Sequence, residues 1–599
     1  MTYVLLDNSL DRGGLRLLFD EPAEVIVAHE PAEVGPALAR IEKALGAGQH
    51  AAGFFAYELG LLLEPRLAHR LPRKRDVPLL WFVIVNRPRR LSDADCLRFL
   101  KSRAGAHSAP RTISVSLDEK AYLSRFDIVK DMIASGDIYQ LNLTFKARFE
   151  IEGPPEAHYL DLRKKQRVAY GAVVATDTFT ILSSSPELFV RITDGVIETR
   201  PMKGTAARAM SIAADAEAKR ILASDVKQRA ENLMIVDLMR NDIGRISEIG
   251  SVEVTDLFSV ETYRTLHQLT SGVRAQLEPG IGLSDWLPAI FSPGSVTGAP
   301  KVRAMELISE LETEPRGVYC GAIGWLAPNG DACFNVAIRT ATIWPGGKAE
   351  MGIGSGVVWD SVGTSEYAEC LLKMKFLTEP AIPLELFETM LWDGGAGIYL
   401  EQRHVDRLKS SADYFGLPLD TKKLARIFAG FAKRYGATRQ RVRLVLGEEG
   451  QLSLTATPLA ATDPQHRLRY VVSDQRVDPT DPFLYHKTTR RALYEGEHAR
   501  AMEVFGADEV IFLNSRGEIA EGSRTTVFIE RDGVLLTPTL ASGLLPGTLR
   551  AELLEAGRAQ EAVLTPDDLE RGRVFLGNSV RGLMRADPID RSELTRRAG

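Results

Sequence analysis

Cysteine is scarce in this chain. Its four cysteines, Cys96, Cys320, Cys333 and Cys370, form no C-x-x-C pair, which excludes a disulfide framework. Long apolar runs are also missing. The longest, Leu79 to Val85, is far too short to span a bilayer, so no membrane partner is expected. No Lys/Arg run is interleaved with aromatic residues, and a net charge of -5 gives no reason to expect nucleic acid. The opening MTYVLLDNSLDR lacks a basic stretch followed by an apolar one, so no signal peptide and a cytosolic location are expected. There is no internal repeat and no low-complexity tract.

What remains is a globular composition, 45% hydrophobic and 26% charged. At 599 residues, length alone predicts roughly three or four folding units. The clearest seam is Glu379-Pro380-Ala381-Ile382-Pro383, two prolines between an amphipathic helix and a fresh strand from Leu384 to Trp392. A weaker seam, Arg103 to Arg111, sets off a strand-rich N-terminal segment. The expected division is therefore 1–110, 111–379 and 384–599. Tyr122, Phe126, Val129 and Ile133 recur at helical spacing, Gly136 stops that helix, and a short strand follows from Ile138 to Leu143. The run ENLMIVDLMR (231–240) is apolar nearly all round and predicts a buried helix. Strands and helices mix without βαβ alternation, so the fold class up to 379 is α+β.

A buried helix does not hold a carboxylate without a partner, so Glu231 needs a cation. A second acidic helix, SEYAECLLKMKF, places Glu366, Glu369 and Lys373 on one face. Carboxylates on two helices, with no His or Cys nearby, suit a hard ion such as Mg²⁺. On spacing alone, salt bridges to the abundant arginines are the favoured reading.

A series of segments changes that balance: GDIYQLNL (136–143), SSSPELF (183–189), PMKGT (201–205), ENLMIVDLMRNDIGR (231–245), HQLTS (267–271), GSVTGAPK (294–301), YCGAIGW (319–325), FNVAIRT (334–340) and GSGVVWDS (354–361). In this order they resemble the chorismate-utilising enzymes. The resemblance implies a site for chorismate, with Glu231 and Glu369 holding Mg²⁺ on its ring carboxylate. It implies further that Gln140, Gly204, Thr205, Tyr319, Arg339, Gly354 and Lys373 line the substrate site, Arg339 through a two-pronged bond. Glu187 is then the general acid for the departing C4 hydroxyl, and His267 its polar neighbour, though a satisfied core histidine is the other reading. Lys203 selects the branch. Anthranilate synthases usually carry alanine there, and a lysine resembles aminodeoxychorismate synthase component I, whose lysine attacks C2 before ammonia enters at C4. Gln140 argues against the water-adding branch, which has a lysine base in its place. One departure stands out: Phe291-Ser292-Pro293, where the family pattern puts proline directly after phenylalanine. Only a local loop difference is expected. No G-x-C-x-G elbow exists for a glutaminase, and Cys320 in GVYCG reads as a small buried residue. Ammonia must come from a separate glutaminase subunit or from solution.

The last third contains LFETMLW (386–392), YLEQRHVDRLKSSADYFGLP (399–418), a stretch FLYHKTTRR (483–491) read as a strand, AEGSRTTVFI (520–529), LLPGTLR (544–550) and FLGNSVRGL (575–583). These resemble the α/β fold-type-IV pyridoxal-phosphate enzymes, which include aminodeoxychorismate lyase and the branched-chain and D-amino-acid aminotransferases. The resemblance implies Lys487 as the Schiff-base lysine and Glu521 as the partner of the pyridine nitrogen. Arg407 and Gly547-Thr548 would hold the phosphate, with Asn578 and Ser579 adding a contact. The arginine four residues after Lys487 and the absence of a glycine-rich, tyrosine-bearing stretch favour the lyase. The expectation is a fused enzyme that converts chorismate and ammonia to aminodeoxychorismate and then to 4-aminobenzoate and pyruvate, dimeric through its C-terminal part. The alternatives are an anthranilate synthase component fused to an aminotransferase, and a non-catalytic regulatory subunit that only binds chorismate or an aromatic amino acid at its N-terminal segment.

Overall fold

The computed structural model describes residues 2–589 except 12, 264–265, 379–383 and 461–464, together with the side chains among them apart from 375, 377, 378 and 432. The proline seam therefore lies outside the described residues. The chain divides into two compact units, not the larger number that length suggests. One is Met1–Ala207 with Lys219–Ile382, the other Arg208–Ala218 with Pro383–Gly599.

The first unit is built on two ten-stranded sheets. The N-terminal strands are woven into both: Tyr3–Asp7 pairs with Tyr170–Ala175, and His50–Phe55 pairs with Ala322–Leu326. Residues 1–110 thus form no unit of their own. The strand expected over 138–143 is longer, Gln140–Glu150. Its Leu141, Leu143, Phe145, Ala147 and Phe149 alternate into the core. Each leucine and phenylalanine among them contributes about 1.5–3 kcal/mol by leaving water. The other face, Gln140, Asn142, Thr144 and Lys146, is buried as well. A buried polar face needs partners. It lies in register with Lys348–Val357, where Asn142, Thr144 and Lys146 oppose Gly356, Gly354 and Gly352.

The helix over 231–240 runs from Val226 to Gly244 and is capped by Asp225, whose carboxylate accepts from the Gln228 N–H at 2.8 Å. It is not buried all round. Asn232, Ile235, Val236, Met239 and Asp242 face inward, while Leu233 and Arg240 face water. The acidic helix spans Gly363–Thr378.

In the second unit a three-stranded antiparallel sheet, Leu386–Trp392, Gln440–Leu446 and Leu452–Pro458, shares one core with helices Glu401–Phe415 and Thr421–Tyr435. An eight-stranded mixed sheet forms the rest, with Leu468–Val477 parallel to Glu509–Asn514. The segment around Lys487 is not a strand. Pro482–Tyr485 is a single 3-10 turn started by proline and capped by Asp481. Lys487 follows it, held by its carbonyl, which accepts from the Phe387 N–H at 3.0 Å, and by an isolated bridge between Thr488 and Leu386. The β-branched threonines gave the stretch its strand-like look; the proline and the aspartate cap override it. Among the described residues no helix is long and apolar enough to cross a membrane.

Candidate active sites

Gly352, Gly354 and Gly356 project toward one face of their strand, which puts a side-chain-free floor beside the buried polar face of Gln140–Glu150. A Cβ at Gly352 would strike the Tyr319 ring at 2.0 Å, and one at Gly356 would meet Lys203 Nζ at 2.8 Å and Gln140 Nε2 at 3.4 Å. Tyr319, Gln140 and Lys203 therefore converge on one floor, the two ends about 13 Å apart along the strand. Both amide atoms of Gln140 are buried without a hydrogen-bond partner, a cost the protein carries where a ligand is expected.

Lys203 sits on the strand Met202–Ala207. Its carbonyl accepts from Asn232 Nδ2 at 3.3 Å, and Asn232 Oδ1 accepts from Ser271 Oγ at 2.6 Å. Gly204, at φ +96, lets the strand turn against Gln228 and Leu269. Burial, and then the neighbouring Lys373, push the Lys203 pKa down; Glu187, Glu231 and Glu369 pull it the other way. Glu187 is buried, and its carboxyl is pushed up to about 7 by that burial, against a hydrogen bond from Ser295 and the charge of Lys203. Lys373 donates to the Gly354 carbonyl at 2.8 Å and pairs with Glu369 at 2.8 Å.

Arg339 stands at φ +51, a left-handed conformation that costs a non-glycine residue roughly 1–3 kcal/mol and is concentrated at functional sites. Burial lowers its pKa. Among the ion pairs of the described residues it has no carboxylate partner; Nη1 donates instead to the neutral Gln166 Oε1. His267 is buried opposite Ala206, with Nδ1 3.2 Å from Thr262 Oγ1. Thr205 is exposed. Cys320 is a buried thiol whose pKa burial pushes up to about 12.

Whether these residues fit a metal turns on the carboxylates. Among the described residues no group of three or more His, Cys, Asp or Glu forms a metal cage. The acidic set that faces Lys203 is oxygen-only. Burial raises the Glu231 pKa, Lys203 and Lys227 oppose the rise, and Glu366 and Glu369 add to it. A divalent cation would relieve that repulsion. Mg²⁺ is commonly held by one or two carboxylates with water and substrate completing its shell, so Glu231 and Glu369 fit it.

In the second unit Lys487 Nζ lies 4.7 Å from the centre of the Phe387 ring and makes no hydrogen bond or ion pair among the described residues. Burial, then Arg407 and Arg491, lower it to about 7. Glu521 is buried and accepts from Tyr494 OH at 2.8 Å and the Leu545 N–H at 3.1 Å; burial raises its pKa. Arg407 donates to both oxygens of the buried Glu388, at 2.9 and 2.6 Å, and to the Pro546 carbonyl at 3.1 Å. Burial alone would raise Glu388, but Arg407 and His404 outweigh it and hold the carboxyl at about 2. Two of the five guanidinium N–H groups of Arg407 remain for a ligand, next to Gly547 at the start of the helix Thr548–Glu555. Asn578 is engaged locally: Oδ1 accepts from Val580 and Arg581 N–H and Nδ2 donates to the Arg524 carbonyl. A buried lysine lowered to about 7, a buried carboxylate, and an arginine with spare N–H groups beside a helix start fit pyridoxal phosphate. Sequence reasoning assigned no role to Asn232, Glu388, His404 or Tyr494. The quoted motifs contain Asn232, Glu388 and His404 (ENL, LFET, QRHV), and these carry the signal that could find them.

The first unit thus gathers a lysine, carboxylates and a buried arginine, and the second a buried lysine and a buried carboxylate, the residue sets of two enzyme sites. Residues 11–379 match the family described as chorismate binding enzyme, and residues 385–589 that described as amino-transferase class IV. The chain belongs to the chorismate binding enzyme family. Aminodeoxychorismate synthase component 1 of Klebsiella aerogenes is 38% identical over 341 residues, 54% of this chain and 75% of that protein. Anthranilate synthase component 1 of Pseudomonas aeruginosa is 39% identical over 260 residues, 43% of this chain and 53% of that protein. The crystal structure of anthranilate synthase component I from Streptococcus pneumoniae matches with a TM-score of 0.52 at 28% identity, over 63% of this chain and 92% of that one.

Proposed function

We propose that the protein makes 4-aminobenzoate in two steps, aminating chorismate in the first unit and cleaving the product in the second. Percent identity is about equal for relatives of the two branches, but the aminodeoxychorismate synthase match covers 75% of that relative and the anthranilate synthase match 53%, so the anthranilate alternative is the less supported. The observation that carries the reading is the placement of Lys203, whose Nζ lies against the Gly356 floor beside Gln140, where burial and Lys373 push its pKa down.

In the first step Lys203 Nζ attacks C2 of chorismate, the double bonds shift, and the C4 hydroxyl leaves as water with the proton of Glu187. Ammonia then adds at C4, the bonds shift back and Lys203 departs from C2. A carboxyl pushed up to about 7 is suited to donate that proton. Arg339, Lys373 and Tyr319 hold the substrate carboxylates, and Gln140 faces the reacting ring. Glu231 and Glu369 would hold Mg²⁺, which would supply Lewis-acid polarisation of the ring carboxylate.

In the second unit Lys487 would carry pyridoxal phosphate, with Glu521 on the pyridine nitrogen and Arg407, Gly547, Thr548 and Ser579 on the phosphate. The cofactor supplies an electron sink. Lys487 Nζ removes the C4 proton of aminodeoxychorismate, the enolpyruvyl group leaves as pyruvate, and the ring becomes aromatic. A partner glutaminase delivers ammonia, the second unit mediates a homodimer, and the protein works in the cytosol. The test is the product: incubation with chorismate, an ammonium salt, Mg²⁺ and pyridoxal phosphate should yield the fluorescence and retention time of 4-aminobenzoate. Anthranilate instead would return the chain to the other branch.

A further inference from the structure

Gln166 follows the helix Pro155–Lys165 and closes it, its N–H donating to the Leu162 carbonyl at 3.0 Å. None of the chorismate-enzyme motifs contains it. Its side chain is buried, 4% exposed, yet it is only half satisfied: Oε1 accepts from Arg339 Nη1, while Nε2 has no partner. A buried amide N–H without an acceptor costs stability and persists where something else supplies the acceptor. The chemistry of the partner is equally informative. A carboxylate at this position would bind Arg339 more strongly, but it would also neutralise the guanidinium and compete with any incoming anion. An amide fixes the same fork and leaves its charge unspent.

We propose that Gln166 is a substrate-binding residue of the first unit, acting with Arg339 as a composite carboxylate cradle. Oε1 sets the orientation of the Arg339 fork, and the Nε2 N–H donates to the anion that the fork receives. The ligand class is a planar carboxylate, one of the two on a chorismate-type ring acid; this rests on the substrate reading given above. Because the bond to the anion is made in the ground state as well as during reaction, its loss should appear in binding and KM and not in kcat.

The experiment compares Gln166→Met and Gln166→Glu with the wild-type residue in calorimetric titrations of chorismate with Mg²⁺, all in a Lys203→Ala background so that no covalent step follows binding, and measures kcat in chains that keep Lys203. Thermal unfolding serves as the check on folding. Met keeps the volume and removes both polar atoms; Glu keeps the shape and the acceptor but adds a competing charge. The expected dissociation constants are about tenfold weaker for Q166M and more than about thirtyfold weaker for Q166E, with amination kcat within about threefold in both, given that one charge-assisted hydrogen bond is typically lost. A purely structural anchor for Arg339 predicts the opposite order, because Glu would anchor the guanidinium better than Met. Binding by Q166E as tight as by Q166M overturns the proposal while leaving the substrate reading intact. Absence of chorismate binding with Gln166 in place overturns that reading, and the cradle with it.

Discussion

Gly356→Ala adds one methyl group at the place where the site leaves least room. Its φ is not in the left-handed region, so the backbone accepts alanine, and reduced freedom of the unfolded chain would even stabilise by about 0.4–1 kcal/mol. The new Cβ lies 2.8 Å from Lys203 Nζ. A carbon–nitrogen contact relaxes at roughly 3.5 Å, so the amine must retreat by ~0.7 Å. The obstructed atom is the far end of a flexible side chain, and folding should therefore hardly change. Catalysis is less forgiving: a displacement of about 1 Å costs on the order of 10²-fold, or ~2.7 kcal/mol on the barrier. Amination, followed by chromatography of aminodeoxychorismate, should fall by 30- to 100-fold on that scale. The unfolding temperature and the cleavage of supplied aminodeoxychorismate should stay at wild-type levels. Amination within threefold of wild type would show that the position of Lys203 does not matter to the first step.

Glu231→Gln and Glu369→Gln should each shift the Mg²⁺ concentration for half-maximal amination upward by tenfold or more, since each removes one charged ligand from a shared ion; unchanged titration curves in both return these residues to salt-bridge duty. At constant un-ionised ammonia, kcat/KM for amination should decline above pH about 7, because Glu187 acts in its protonated form and its carboxyl loses the proton there. A profile flat from pH 6 to 9 contradicts that role. Glu521→Gln should retain pyridoxal phosphate by absorbance but cleave aminodeoxychorismate at least tenfold more slowly, and wild-type cleavage would remove Glu521 from the chemistry.

The two halves and their families are legible in the sequence because the chemistry is carried by contiguous segments. PMKGT and ENLMIVDLMRNDIGR each hold a reactive group and its local frame. What the sequence hides are pairings across long separations. That Gly356 floors Lys203 depends on the register of Gln140–Glu150 against Lys348–Val357, and no local pattern encodes it. That Asn232 holds the Lys203 carbonyl depends on how its helix packs. Gln166 belongs to no motif, and only its half-satisfied amide marks it. Residues 483–491 are not the strand their threonines suggest, because Asp481-Pro482 starts a tight turn just before them. Residues 208–218 belong to the second unit although the chain on either side of them belongs to the first. Residue order alone cannot show this.

The central claim is that Lys203 performs the first reaction and Lys487 the second in one chain. Its most direct test is product analysis of wild type, Lys203→Ala and Lys487→Ala, each given chorismate, ammonium, Mg²⁺ and pyridoxal phosphate. Wild type should release 4-aminobenzoate and pyruvate in equal amounts. Lys203→Ala should leave chorismate unconsumed yet cleave supplied aminodeoxychorismate, and Lys487→Ala should accumulate aminodeoxychorismate. 4-Aminobenzoate formed at the wild-type rate by either variant from chorismate would contradict the account.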